Sequence, residues 1–382
     1  MSQTCNQMKV TVKEITSHRG LRKFVHFPNE LYKDNPYYVP QIEIIDVNTF
    51  DPQKNRAFEV CDAKFWLAYD ENDKVVGRIA GIINHRYNEK VGEKICRFGW
   101  IDFIDSQEVV KALLDTVESF ARENGMDQIE GPDGLLEFDV TGVLVDGFDQ
   151  IPTPYGKYND PYYEPRILAE GYEQSTDYVE FLITIPETLP EKHARLVDIV
   201  KERYGLRQAE FTKKKEIIPY LDGVFECMNR CYSSLHGFSE LSKGQCDDLL
   251  KSFFGFLNPD YISIILNKED KVVGFGVLLP DLSRAMQKAK GYLFPFGFVH
   301  ILKALKKNDT MDALLIAILP EYQSKGVNSL MFQKLIHNCR RDGFTKLEST
   351  RELADNFAVQ NLWSKLEHKQ HKRARTYKKI LK

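Results

Sequence analysis

The sequence predicts an α/β fold, an α+β arrangement with a mixed sheet, repeated in two tandem domains. A chain of 382 residues is longer than one typical hydrophobic core supports, so two domains are expected. Short apolar runs bounded by turn residues predict strands, and the amphipathic segments between them predict helices. Five of these elements recur in the same order in both halves, which indicates an internal duplication.

The repeat is also visible in the residues themselves. DKVVG at 73–77 recurs at 270–274, and GMDQIE at 125–130 resembles GFTKLE at 343–348. The longer spacing in the second half is absorbed by an insertion between Pro280 and Asn308, where two helical pieces flank a break at 291–297. Pro186 and Pro190 punctuate the stretch 183–191, so we expect the domains to cover residues 1–187 and 188–382.

The N-terminal half contains a hairpin and one clear amphipathic helix. Ser17 or Thr16 can cap a helix from about residue 19, and Pro28 either interrupts it or starts a second helical turn reaching about residue 33. The remaining predicted elements are strands over 8–14, 65–69, 75–83 and 95–104, a helix over 106–124, and a strand that begins at 129.

The C-terminal half follows the same order. Its predicted elements are a strand-like run over 207–218, helices over 224–235 and 247–254, a hairpin of 261–266 and 272–279, a strand over 311–319, a helix over 329–341, a strand over 347–350, a helix over 356–366, and a final strand within 365–382.

Composition excludes several classes of function. The net charge of −3 predicts no general attraction to nucleic acid or acidic membranes, and no apolar run reaches the ~18 residues of a membrane span. Residues 1–10 hold no signal-peptide core, and seven scattered cysteines indicate reduced thiols, so a cytoplasmic location is expected. Cys227 and Cys231 lie one helical turn apart without a second pair, so no metal site is predicted.

The stretch after the strand at 311–319 has the character of an anion site. Pro320 stops the strand, and a polar loop leads directly into the helix at 329. Backbone N–H groups at a helix start, together with the helix dipole, attract phosphate groups. Gly326 permits close approach to a ligand and Lys325 adds positive charge. The complete predicted loop is Gln323, Ser324, Lys325, Gly326, Val327 and Asn328.

This loop resembles the pyrophosphate-binding motif of the GNAT superfamily, the acyl-CoA N-acyltransferases. The family pattern is Gln or Arg, two residues, Gly, one residue, then Gly or Ala; Gln323 and Gly326 match, and Asn328 departs from the final small residue. The order of elements in both halves also resembles that fold. The corresponding N-terminal loop has no glycine and carries Asp102 and Asp105, which would repel a phosphate, so that half is predicted to be degenerate.

The resemblance implies acyl-CoA as the co-substrate, with acetyl-CoA the expected donor. It implies that a backbone N–H near Ile318 or Leu319 polarises the thioester carbonyl and that Asn356 helps to bind the acyl-CoA arm. Trp363 stands where the family often has an acidic Tyr, and indole cannot supply a proton. Tyr377 is the proposed substitute acid, and Glu348 the proposed base or a salt-bridged structural residue.

Two loops are candidates for binding an amine acceptor. The first, residues 232–240, connects the first two helices of the C-terminal half and offers Tyr232 and His236. The second, residues 155–164, contains four tyrosines, among them Tyr158 and Tyr162. These tyrosines can be a packed plug or an aromatic wall of the acceptor site.

The sequence leaves three functions open. The first is an acyl-CoA-dependent N-acyltransferase acting on an unknown small-molecule or peptide amine. The second is an aminoacyl or peptidyl transferase, because tandem GNAT halves also occur in enzymes that use charged tRNA. The third is a non-catalytic binding protein, which Trp363 and Asn328 favour. A direct contact between the basic tail and nucleic acid is not expected, and the oligomeric state is left open.

Overall fold

A computed structural model describes residues 8–381, which form two compact units. Unit 1 contains the described residues up to Val179, together with Ser283–His300 and the chain from Lys372 onward. Unit 2 contains Glu180–Leu282 and Ile301–His371. The compact units therefore differ from a simple cut at 187/188, and that boundary between repeated halves stays a prediction. Residues 1–7, part of the stretch used to argue against a signal peptide, lie outside the described residues.

The secondary structure follows the predicted alternation of strands and helices. The first elements are β1 (Thr11–Glu14), α1 (His18–Leu31), α2 (Glu43–Thr49), β2 (Cys61–Tyr69), β3 (Val75–Asn84), α3 (His85–Val91), β4 (Ile95–Phe103), α4 (Gln107–Glu123), β5 (Gln128–Gly131), β6 (Val143–Asp146), α5 (Tyr163–Ala169) and β7 (Glu173–Thr184). They are followed by α6 (Glu191–Tyr204), β8 (Arg207–Gln208), α7 (Leu221–Tyr232), α8 (Lys243–Phe254), β9 (Ile262–Leu266), β10 (Val272–Pro280), α9 (Ser283–Ala289), α10 (Gly297–Lys306), β11 (Thr310–Ile318), α11 (Asn328–Arg341), β12 (Lys346–Ser349), β13 (Glu352–Leu353), α12 (Phe357–Trp363) and β14 (His368–Ile380).

The sheet of unit 1 runs in the order β1-β2-β3-β4-β5, with the C-terminal part of β14 paired to β5. All these pairs are antiparallel except β4 with β5, which is parallel and joined by the crossover helix α4. The apolar stripe of α4 is buried against the sheet, and its members are Val109, Val110, Leu113, Leu114 and Val117.

Unit 2 has a sheet of the same design. From one edge its order is β8, β9, β10, β11, β12 and the end of β7. β11 and β12 are parallel and are joined by α11, whereas the other pairs are antiparallel. Both units thus have a mixed sheet with helices on its faces, which confirms the predicted α/β fold class.

The repeated DKVVG segment has a packing reason in each unit. A Cβ atom on Gly77 would lie 2.8 Å from Leu113 of α4, and one on Gly274 would lie 2.8 Å from Met331 of α11. Each glycine therefore lets a crossover helix approach the hairpin strand more closely than any other residue would allow.

Several local predictions need correction. The run 207–218 is not a strand beyond Gln208, because the Glu216 carboxylate accepts the backbone N–H groups of Thr212 and Lys213 and starts a 3-10 turn over Lys214–Tyr220. Pro28 does not interrupt α1, which is continuous from His18 to Leu31. The helix α6 was not predicted; it begins at Glu191, the last residue of the proline-punctuated stretch, and runs to Tyr204.

A buried charge cluster stabilises unit 1 behind the start of α4. Asp102 is fully buried and lies 2.7 Å from Arg78 and 2.9 Å from Lys157. The Tyr163 hydroxyl donates to the same carboxylate at 3.1 Å. Asp102 is therefore a structural counter-charge, and the carboxylates near the helix start that solvent reaches include Asp105 and the half-buried Glu108.

Asp102→Asn should strongly destabilise the protein, because Arg78 and Lys157 would keep their buried charges without a carboxylate. We expect a loss of about 3–5 kcal/mol in the free energy of unfolding, measured by urea denaturation. The matched control is Asp105→Asn, which removes an ion pair to Arg166 that is more than one-third exposed and should cost about 0–1 kcal/mol. Equal losses for the two variants would contradict this account.

Candidate functional site

The loop after β11 presents unused backbone donors. Pro320–Tyr322 form a single 3-10 turn, and positive φ angles at Ser324 (58°) and Gly326 (78°) bring the chain to the start of α11. Within the described chain, the N–H groups of residues 324–328 donate to no protein acceptor. The first turn of α11 carries no acidic residue. These amides, at the positive end of a helix dipole, form a cradle for an anion.

Neighbouring residues hold this loop in shape. The Gln323 side chain donates to the Ile318 carbonyl at 2.9 Å and closes the turn. The Lys325 ammonium lies 5.3 Å from the ring of Tyr204 and 5.4 Å from that of Tyr322, which keeps its charge at the loop. A Cβ atom on Gly326 would contact Leu196 of α6 at 3.4 Å. The helix α6, which was not predicted from the sequence, therefore packs close to the predicted loop.

The edge of β11 is open next to this loop. Its pairing with β12 covers only Thr310–Ala313, so Leu314–Ile318 extend beyond the paired region. The Leu319 N–H donates to the Val273 carbonyl at 2.9 Å, which corrects the prediction that it polarises a ligand. Because hydrogen bonds alternate along an antiparallel pair, the Ile318 N–H points away from β10, toward the open edge.

Tyr232, at the end of α7, also reaches this edge. Its hydroxyl donates to the Ile316 carbonyl at 3.0 Å, so the structure brings this predicted acceptor residue to the open strand. His236 is half-buried in the turn between α7 and α8. Its contact with an acceptor stays a prediction.

Apolar cavities lie on both faces of the unit 2 sheet. The cavity beneath α11 has a volume of about 40 Å³ and the one beneath α7 and α8 about 70 Å³, so both are narrow seams between apolar side chains. Leu315 of β11 lines both. The α11 cavity is lined entirely by apolar groups, among them Gly276, Phe332, Leu335 and Trp363. Such walls suit hydrocarbon chains better than polar groups.

A cluster of buried titratable groups lies on β11, β12 and β14, in the region where β11 is still paired with β12. The Glu348 carboxylate is 3.3 Å from His371 Nε2, and the two side chains are only 12% and 6% exposed. Glu348 also stands in register with Asp312 of β11, which is 1% exposed. The predicted base therefore has a histidine neighbour that can share its proton, which the sequence did not indicate.

A second carboxyl group was also missed. Burial raises the pKa of Glu352 to about 7, and the nearby Glu180 carboxylate contributes to this rise. The Trp363 indole N–H donates to Glu352 at 2.9 Å and lowers the pKa in part. Trp363 cannot give a proton, but it positions a carboxyl group that can. In the sequence, Glu352 is one charged residue among many, and only burial distinguishes it.

The tyrosines of the N-terminal half are part of the unit 1 core. The pairing of β4 with β5 ends at Arg97, so β4 has a similarly open edge. Here Tyr162 donates to the Phe103 carbonyl and Tyr163 accepts the Phe103 N–H. Tyr158 is 5% exposed and packs against Tyr32. The aromatic-wall interpretation of Tyr158 and Tyr162 is therefore corrected, because these residues plug the edge of unit 1.

Two further predicted residues have structural roles. Tyr377 is fully buried in unit 1 and donates to Glu164 at 3.0 Å; burial and then this carboxylate raise the pKa of its hydroxyl. This placement argues against Tyr377 as the catalytic acid of the C-terminal site. The Asn356 side chain caps α12 by accepting the Val359 N–H, and its contact with acyl-CoA stays a prediction.

Known proteins resemble this chain in both sequence and fold. The Acetyltransferase (GNAT) family profile matches residues 221–367. A solved structure of a tandem GNAT protein from the clavulanic acid biosynthesis pathway aligns over 97% of this chain and 98% of its own, with a TM-score of 0.56 and 12% identity. Residues 221–367 therefore match the GNAT family, and the chain as a whole has the fold of a tandem GNAT protein.

Two sequence relatives match nearly the whole of this chain. Protein YghO of Escherichia coli (strain K12) is 27% identical over 376 residues, which cover 96% of this chain and 95% of that protein. The bacterial ceramide synthase of Caulobacter vibrioides (strain NA1000 / CB15N) is 24% identical over 381 residues, which cover 97% and 98%. Acyl-CoA is the co-substrate of the GNAT family, and the open β11 edge with its amide cradle fits it.

The structure also bears on metals and membranes. The described side chains of residues 8–381 contain no cluster of three or more His, Cys, Asp or Glu groups that could hold a metal ion. In the same part of the chain, no helix is both long and apolar enough to cross a bilayer.

The raised pKa of Glu352 predicts a pH-dependent stability. A carboxyl whose folded pKa of about 7 lies above its ordinary 4.5 is penalised when ionised, so stability should fall as pH rises through this range. Glu352→Gln keeps an acceptor for Trp363 and removes the charge. We expect the variant to exceed the wild type by roughly 3 kcal/mol at about pH 8 and to lose this advantage at about pH 5.

Urea denaturation at both pH values measures the difference. The exposed Glu367→Gln should leave the pH dependence unchanged. Parallel stability curves for the wild type and Glu352→Gln would show that Glu352 titrates normally.

Proposed function

We propose that this protein is an N-acyltransferase that transfers a fatty acyl group from acyl-CoA to the amine of a long-chain amino lipid. The observation that carries the proposal is the pair of apolar cavities on opposite faces of the unit 2 sheet, which share Leu315 on the open strand. One cavity suits the donor chain and the other suits the acceptor chain. The relative named bacterial ceramide synthase supports this, since a ceramide is an amide of a fatty acid and a long-chain amino alcohol.

Donor binding follows from the elements around α11. The free amides of residues 324–328 and the Lys325 ammonium would hold the pyrophosphate of acyl-CoA. The cavity beneath α11 begins on the same helix, with Phe332 and Leu335 in its lining. A long acyl chain that parted these apolar side chains would bury its surface among them, which an acetyl group is too short to do. The cavity thus favours a longer donor than the acetyl-CoA expected from the sequence.

The proposed acid and base are both carboxyl groups of unit 2. Glu348, beside His371, accepts the proton lost when the amine nitrogen forms its bond to the acyl carbon. The Ile318 N–H donates to the carbonyl oxygen as negative charge develops there. As the bond between acyl carbon and sulfur breaks, Glu352 donates its proton to the leaving thiolate. Its pKa of about 7 keeps a protonated fraction available near neutral pH.

Narrowing the α11 cavity should change the preferred donor. Gly276 lines the cavity, and a Cβ atom there would make ordinary contacts of 3.5 Å to Leu335 and 3.8 Å to Met331. Gly276→Val should therefore fold and fill part of the space meant for the acyl chain. With a long-chain amine as acceptor, we expect the wild type to prefer long acyl-CoA and the variant to lose about tenfold or more of that activity.

Amide products can be measured by mass spectrometry across acyl-CoA donors of increasing length. Gly276→Ala is the control and should retain most activity with long donors. If the wild type used acetyl-CoA and none of the longer donors, the proposed fatty acyl donor would be wrong and acetyl-CoA would be the donor. If Gly276→Val and the wild type showed the same dependence of activity on acyl chain length, the α11 cavity would not be the site that holds the acyl chain.

A further inference from the structure

The insertion after β10 is firmly attached to unit 1. Gln287 of α9 donates to the carbonyls of Pro36 and Tyr38 at 2.9 and 3.0 Å, and the Ser283 hydroxyl donates to Pro152 at 2.8 Å. The Gly291 carbonyl accepts the backbone N–H of Glu43, which begins α2. Whatever this segment exposes is therefore presented by fixed backbone.

What it exposes is apolar. Phe294 and Phe296 are 73% and 72% exposed, and the neighbouring α2 shows Ile44 at 63% exposure. We call this group the apolar tip, and its members are Ile44, Ile45, Tyr292, Phe294 and Phe296. Large side chains that a fixed backbone holds in water, rather than folding them into the core, indicate a surface that meets another apolar phase.

The insertion that carries the tip is strongly positive in sequence. Residues 284–307 contain six cationic residues and no Asp or Glu, in a chain whose net charge is −3. These cations are Arg284, Lys288, Lys290, Lys303, Lys306 and Lys307, and all are exposed. Among residues 8–381, none of them has a carboxylate partner within ion-pair distance. Their charge is therefore available to an external anionic surface.

A polar cavity adjoins the tip in unit 1. It has a volume of about 520 Å³ between α2 and residues 291–294. Its lining combines the apolar Ile44 and Phe294 with Arg22, Glu43 and Lys54, and Arg22 and Glu43 form an ion pair at 2.8 Å. Polar groups beside apolar ones are typical of surfaces that meet the boundary between phospholipid head groups and acyl chains.

We propose that the apolar tip is a membrane-docking surface that inserts its aromatic side chains into an anionic phospholipid bilayer. The six lysine and arginine residues would attract the anionic head groups, and the tip would anchor the protein at the interface without spanning it. A protein partner would need to match both an apolar tip and the six exposed cations of the insertion, whereas an anionic bilayer offers an apolar interior and negative head groups together. This surface is independent of the proposed reaction, so either proposal can fail alone.

Vesicle flotation with the full-length protein tests the surface. We expect the wild type to float with vesicles that contain phosphatidylglycerol and about tenfold less with phosphatidylcholine alone. Phe294→Ser/Phe296→Ser should reduce flotation on both vesicle types. Lys303→Gln/Lys306→Gln should chiefly reduce the preference for phosphatidylglycerol. The control Ile199→Ser/Ile218→Ser removes apolar residues that are 49% and 50% exposed elsewhere and should float like the wild type.

A second readout does not depend on losing binding. The native tryptophans Trp66, Trp100 and Trp363 are all buried, so Phe296→Trp introduces an exposed one. Its emission should shift to shorter wavelength with anionic vesicles and be quenched by brominated acyl chains. Absence of flotation by the wild type, or an unquenched Trp at position 296, would overturn the proposal. Equal flotation of the Ile199→Ser/Ile218→Ser control and the aromatic variant would do the same.

Discussion

The functional site depends on one constraint, the early end of pairing between β11 and β12. Beyond Ala313 the backbone of β11 has no strand partner on that side, and unpaired backbone groups are costly unless something satisfies them. Tyr232 satisfies the Ile316 carbonyl and Gln323 the Ile318 carbonyl. The remaining opening lies between two apolar cavities and ends at the free amides before α11. The strand gap thus lies beside unused backbone amides, apolar cavities and buried carboxyl groups.

The N-terminal half shows how the same constraint is resolved without a ligand. Pairing of β4 with β5 also ends early, but Tyr162 and Tyr163 occupy the backbone groups of Phe103. Asp102 is neutralised by Arg78 and Lys157 in the same core. A half whose open edge is filled by its own side chains retains the fold and loses the space for a coenzyme. This gives a physical reason for the degenerate half predicted from its missing glycine.

Local patterns predicted the hairpins, the crossover helices and the loop at Gln323–Asn328, because hydrophobic periodicity and turn residues are recorded in adjacent positions. Contacts between distant residues were not predictable in this way. Nothing near Glu348 indicates His371, and nothing near Glu352 indicates that burial and Trp363 set its pKa. Tyr377 was assigned to the wrong environment because its strand pairs with β5 in unit 1. Tyrosine side chains such as those at 158 and 162 suit either ligand binding or core packing, and only their burial in the structure distinguishes the two roles.

The most direct test of the central claim concerns charge at the start of α11, measured as acyl-CoA affinity by calorimetry. Asn328→Asp adds a carboxylate to the first helical turn, which should stabilise the helix by about 0.3–1 kcal/mol while repelling a pyrophosphate at the free amides. Asn328→Ser is the neutral control. We predict that the dissociation constant for acyl-CoA rises about tenfold or more for Asn328→Asp, while the unfolding temperature of that variant is unchanged or slightly higher. For Asn328→Ser the dissociation constant should stay near the wild-type value. Equal affinity in both variants would contradict the assignment of this loop as the coenzyme site.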